Sequence, residues 1–166
     1  MPVALENPCD AAPNWPLAPK PVKSPLAAMK WATGTQKDRF GCTRDAGMKF
    51  HAAIDLEAAE GTLCFAVADA KVEEVGYGKD VGKYVSISYK EGRQTIGVAY
   101  CHLSKARVKK VDIVKAGTII GETGTTGNAS GGVPHLHLEI QNQVWVAYEF
   151  ADDRSKHAMN SNSYME

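Results

Sequence analysis

Between about residue 40 and residue 147 the chain holds no convincing long helical pattern, only short β-branched and aromatic runs cut by glycine-rich turns. The strand-like segments are 62–68, 71–76, 84–90, 95–102, 109–111, 118–122, 135–141 and 144–148. GKDVGKY, KEGR and GETGTTGNASGGVP fall between them and read as turns or loops. Short strands with no helical crossover between them pair antiparallel, so the expected class is all-β with an antiparallel sheet core. The HLHLEI stretch alternates cleanly. It should place His135, His137 and Glu139 on one face and Leu136, Leu138 and Ile140 on the other, toward the core.

The flanks read differently. Residues 1–25 are rich in Pro, Ala and Asn and resemble an extended arm, with one short helix expected at 26–34. The expected organisation is an arm over 1–39, a main domain over 40–150 and a polar C-terminal tail over 151–166, in which His157 is solvated. At 166 residues one domain is the natural expectation. Nineteen basic residues balance nineteen acidic ones, which argues against a nucleic-acid or membrane-surface partner. No apolar run approaches a membrane span, and the N-terminus lacks the basic start and apolar stretch of a signal peptide.

Chemistry concentrates in the histidines. Four of the five fall into three short clusters: His51 with Asp55 in FHAAIDL, His102 in AYCHLS, and His135 with His137 in PHLHLEI. Imidazole and carboxylate suit Zn²⁺, and a catalytic zinc keeps three protein ligands and an open position. The set supplies three ligands with one or two histidines left for proton work. His135 and His137 are about 6.5–7 Å apart at Cα, better suited to one ring on the metal and one beside it than to both on it. His51 and Asp55 share a face in an extended segment, with Ala53 between them leaving room for an ion. Each cluster alone is more often a core or surface feature; their conjunction is the signal. Glu139 could steady His137, form a salt bridge or face solvent.

Two other features carry less. The glycine-rich loop at 124–132 leads into a strand and lacks Gly-Lys-Ser/Thr, so it is not a phosphate cradle. Cys9, Cys42, Cys64 and Cys101 have no CxxC spacing, which argues against a second metal site built from thiolates. Cys64 and Cys101 are expected buried, with Cys101 pointing away from His102. A Cys9–Cys42 bond would pin the arm near the rim of the site. Free thiols throughout are an equal alternative.

The segment from Phe40 to Ile140 resembles the lysostaphin-type zinc endopeptidases of bacterial cell walls. The resemblance runs through RFGCTR (39–44), HAAID (51–55), EGTLCFAVADAKV (60–72), GKYVSI (82–87), AYCHLS (99–104), VKAGTIIGETGTTG (114–127) and PHLHLEI (134–140). It implies an antiparallel sheet with the site in a groove and one zinc per chain. It further implies His51, Asp55 and His137 as ligands, and His102 and His135 as catalytic histidines whose division of roles stays open. The family usually has Gly where Ala53 stands and an Asp-Gly turn where Asp69-Ala70 stands, and its loop before His135 is slightly shorter.

The implied activity is hydrolysis of a stem or cross-bridge peptide bond of peptidoglycan. The site of action is periplasmic or extracellular, by an export route the sequence does not give, and the chain is expected to be a monomer. An antibacterial toxin or a phage lysis factor fits as well as wall remodelling, and a toxin would bring an immunity protein that plugs the groove. Two other classes compete. A wall-binding or hydrolase-activator module on the same fold would bind zinc without turnover. A cupin-type β-barrel would bring its ligands in a different order.

Overall fold

The alternating residues 135–141 form an interior strand of the main sheet. The computed structural model describes residues 7–10, 14–27, 30–31, 39–148 and 151–165. Eleven strands are present among them: β1 (Lys30–Trp31), β2 (Gly41–Arg44), β3 (Lys49–His51), β4 (Ala53–Glu57), β5 (Leu63–Phe65), β6 (Ala70–Gly78), β7 (Gly82–Glu91), β8 (Gln94–Ala106), β9 (Ile113–Val114), β10 (Ile119–Thr123) and β11 (His135–Gln141). One short helix, α1 (Ala151–His157), follows. The main sheet runs β1-β4-β11-β8-β7-β6-β9 and every pair in it is antiparallel. β8 outlasts β11, and β10 takes β11's place beside its last residues while also pairing with β5. β2 and β3 form a separate hairpin.

Register decides which face does what. Ile54, Leu138, Tyr100 and Val85 are directly opposed across β4, β11, β8 and β7, and all are fully buried. With Leu56, Leu136, Ile140, Ile87 and Val98 they build the core on one face. The next row, Asp55, His137 and Cys101, lies on the opposite face, as does Ala53, Glu139, Ala99 and Ser86. Small residues in these rows leave a floor on which other chain segments settle. Ala99 and Cys101 are covered by Trp145, with Val81 and Tyr84 alongside.

Several expectations change. Over 26–34, Lys30–Trp31 is an edge strand on β4 rather than a helix, and 28–29 and 32–34 lie outside the described residues. The exposed edge of β4 offers unpaired backbone groups, and pairing them outweighs a weak helical tendency. Residues 109–111 form a turn, because Asp112 accepts from the Lys109 amide and Val111 is left-handed (φ 69°); the strand starts at Ile113. Residues 144–148 are not a strand. The buried Gln141 side chain acts as the partner instead, donating to the Val146 carbonyl at 2.8 Å and accepting from its amide at 3.1 Å. This segment crosses β8 so closely that a Cβ at Gly97 would overlap the Gln143 carbonyl and the Trp145 amide.

The flanks are part of the body. Trp15 stacks on Phe50 at 4.9 Å and meets Phe40 edge-on at 5.3 Å. Ala18 and Leu26 are buried. The C-terminal residues, expected as a loose tail, bring Ala158, Met159 and Tyr164 into the core and bridge to Leu17 through Asn160. His157, expected solvated, is partly buried and stacks on Tyr148 at 5.5 Å. Cys9 and Cys42 form a disulfide that ties the arm to β2, and Cys64 and Cys101 are buried free thiols.

Candidate metal centre

Three strands bring the clustered residues together. β3 ends at His51, β4 carries Asp55, and β11 carries His135 and His137 with His137 directly opposite Asp55. His102 arrives by a different route. Strict alternation would send it to the core face, since Cys101 opposes His137 and so already occupies the site face. The expectation that Cys101 points away from His102 therefore fails. Between the pairs Lys83–Leu103 and Val85–Tyr100, two residues of β8 face the single Tyr84 of β7. This is a β-bulge, and His102 takes the left-handed conformation at φ 61° within it. The bulge puts two consecutive residues on the same side. Its hold comes from the His102 amide donating to the Val81 carbonyl at 2.8 Å.

One donor atom each from His51, Asp55 and His137 lies within 4.8 Å of the others, a set that could hold a metal ion. His137 Nδ1 is 3.0 Å and His51 Nε2 3.4 Å from Asp55 Oδ1. The other Asp55 oxygen accepts from Arg44 at 2.7 Å. The Arg39 carbonyl can only accept, so His51 Nδ1 donates to it at 2.9 Å and must carry the ring proton. That leaves His51 Nε2 as a bare lone pair, buried with no hydrogen-bond partner. An orphaned buried acceptor aimed at a carboxylate and a second imidazole fits a borderline cation.

The remaining two histidines are set in the same way. His102 Nδ1 donates to the Thr126 carbonyl at 2.8 Å, and His135 Nδ1 to the Val133 carbonyl at 2.9 Å. With Nδ1 engaged by the main chain, Nε2 is the nitrogen each ring leaves for other partners. Their rings are 5.0 Å apart, and His102 is 5.6 Å from His137. All five side chains predicted from sequence line one cavity of about 430 Å³, together with Arg44, Lys49, Asp80, Glu139 and Arg154.

Electrostatics sorts these groups. Burial works against ionisation of Asp55, but the hydrogen bond from His137 and the adjacent His51 ring hold its carboxyl well below the ordinary range. Burial pushes His51 below its ordinary value. Burial and the neighbouring His137 bring His102 down to about 4, so it is a neutral base at physiological pH. His137 goes the other way: burial opposes its charge, yet Asp55 and Glu139 raise it to about 9. Glu139 is 2% exposed and stays ionised against its burial through His137 and Arg154.

Sequence reasoning assigned no role to two cations. Arg44 stood in a segment quoted for its resemblance alone, and Arg154 stood in the polar tail. Position in the sequence gave neither a partner, because each reaches a carboxylate on a distant strand.

A His-Asp-His donor set flanked by two further histidines on an antiparallel sheet defines a metallohydrolase type of site. Residues 49–148 match the model described as Peptidase family M23, and the chain belongs to that family. It is 38% identical over 93 residues to the peptidoglycan DD-endopeptidase ShyC of Vibrio cholerae, covering 56% of this chain and 20% of that protein. The catalytic domain of the antimicrobial peptidase lysostaphin from Staphylococcus simulans superposes with a TM-score of 0.58 at 28% identity, over 74% of this chain and 84% of that one. A zinc containing peptidase from Vibrio cholerae gives 0.56 at 27% identity, over 73% of this chain and 35% of that one. The chain spans about a fifth of the length of the curated relatives it matches. No helix among the described residues is long and apolar enough to cross a membrane.

Proposed function

We propose that this chain is a zinc-dependent endopeptidase that hydrolyses peptide bonds in the stem or cross-bridge of bacterial peptidoglycan. His51, Asp55 and His137 hold one zinc, and His102 and His135 are the acid–base pair. The observation that carries this reading is the orphaned Nε2 of His51, facing Asp55 and His137 in a cavity that the other two histidines also line. When bound, zinc supplies Lewis-acid polarisation of a carbonyl and lowers the pKa of a water. His102 and His135 each offer Nε2 because the main chain occupies Nδ1. One takes the proton from water and the pair returns it to the leaving amine, while the other steadies the charge that develops on oxygen. The protein acts as a monomer in the periplasm or outside the cell, where the Cys9–Cys42 bond is kept. An immunity protein seated in the cavity would be the partner of a toxin.

Digestion of purified peptidoglycan with and without chelator, followed by mass analysis of fragments, tests the reading. Chelator-sensitive release of new peptide ends is expected, and the fragments identify the bond. Binding to the wall with no release would replace it with a non-catalytic module.

A further inference from the structure

His137 faces two carboxylates with its two nitrogens. Nδ1 is turned to Asp55 at 3.0 Å, while Nε2 lies 3.9 Å from Glu139 Oε2. Glu139 is buried, and its Oε1 has no hydrogen-bond partner. The cation beside that oxygen is Arg154, whose Nε is 3.7 Å away. Arg154 belongs to α1, beyond the residues that match the family, and its guanidinium is pinned by donation to the Tyr148 carbonyl at 2.7 Å. A carboxylate shut from water this completely is costly unless something uses it.

A neutral imidazole that gives one nitrogen's lone pair to a metal carries its proton on the other, and that proton needs an acceptor. Nδ1 is the nitrogen on the side of His51 and Asp55, so the proton belongs on Nε2, toward Glu139. We infer that Glu139, aimed by Arg154 of the C-terminal helix, is the positioning residue of the metal centre: it accepts the Nε2 proton of His137 and fixes the ring in the tautomer that leaves Nδ1 free for zinc. The metal centre is then completed from outside the family-matched segment.

This rests on the reading of His137 as a ligand, so the test separates the two. Zinc affinity is measured above about pH 9, where a proton no longer competes for His137, by competition with a chromophoric chelator, with the thermal stability of each metal-free variant alongside. Glu139→Ala should weaken zinc about 10–100-fold, the usual cost of losing such a partner. Glu139→Gln, which keeps an acceptor oxygen, should recover part of that loss. Arg154→Met should weaken zinc in the same direction and shift the visible spectrum of the cobalt-substituted protein. Affinities within about twofold of the unsubstituted protein for both Glu139→Ala and Arg154→Met overturn the inference. If Glu139→Ala does not fold, an unchanged affinity in Arg154→Met overturns it alone. Full zinc binding by His137→Ala would instead sink the ligand reading beneath it.

Discussion

On the proposed ligand set, zinc and a proton would compete for His137, and the structure sets the size of that competition. Burial disfavours the charged ring, but Asp55 and Glu139 hold its pKa at about 9. Near pH 7 only about one ring in a hundred is then unprotonated, which weakens apparent zinc affinity about 100-fold, or about 2.7 kcal/mol. His51 and Asp55 add nothing to this, because burial keeps the first neutral and its neighbours keep the second ionised. The sign follows directly. The unprotonated ring binds, so affinity should climb about tenfold per pH unit from near neutrality and level off around pH 9.

Competition titrations across about pH 6.5–9.5, with a chelator of known proton dependence, give the slope. Calorimetry in two buffers of different ionisation enthalpy counts the protons released per zinc. At least one proton from the protein is expected near pH 7. An affinity flat over this range with no proton release would refute the charge balance assigned to His137, Asp55 and Glu139.

Three further outcomes follow from the same geometry. His102→Ala and His135→Ala should each keep stoichiometric zinc yet lose about 10²–10⁴-fold in turnover, read by peptide release with metal analysis; loss of metal in either would make it a ligand. Thiol counting on denatured, non-reduced protein should find two thiols, from Cys64 and Cys101, and Cys42→Ser should lower stability by about 2–4 kcal/mol in denaturant titration. Leu138→Ala empties a fully buried site between Ile54 and Tyr100 and should cost about 2–5 kcal/mol.

What could be read in the sequence was what local periodicity encodes. The alternation of HLHLEI puts Leu136, Leu138 and Ile140 inside, and β11 has the expected bounds. His102 shows where periodicity stops. Its side of the sheet depends on a bulge, and a bulge is set by how two strands pair, not by residues 99–104 alone. The same bulge brings His102 to the face that simple alternation reserves for Cys101. The flanks failed for another reason. Trp15, Met159 and Tyr164 are isolated apolar residues in polar surroundings, too sparse to show a period. Their burial comes from the face of the body they meet.

The contacts around the three donors divide by origin. The donors lie within the family-matched segment, but the groups that orient them largely do not. Upstream, the Arg39 carbonyl fixes the His51 tautomer and Arg44 occupies one oxygen of Asp55, leaving the other toward the two imidazoles. Cys42 sits between those two residues, and its bond to Cys9 anchors that stretch. Downstream, Arg154 reaches Glu139 behind His137. A neutral histidine, an ionised carboxylate and a second histidine must each be held in one state for a cation to bind, and a sheet alone does not choose among those states. It supplies same-face rows at fixed spacing. The choice is made by carbonyls and guanidinium groups that do not belong to those rows, so substitutions in the flanks should act on metal affinity while leaving the sheet intact.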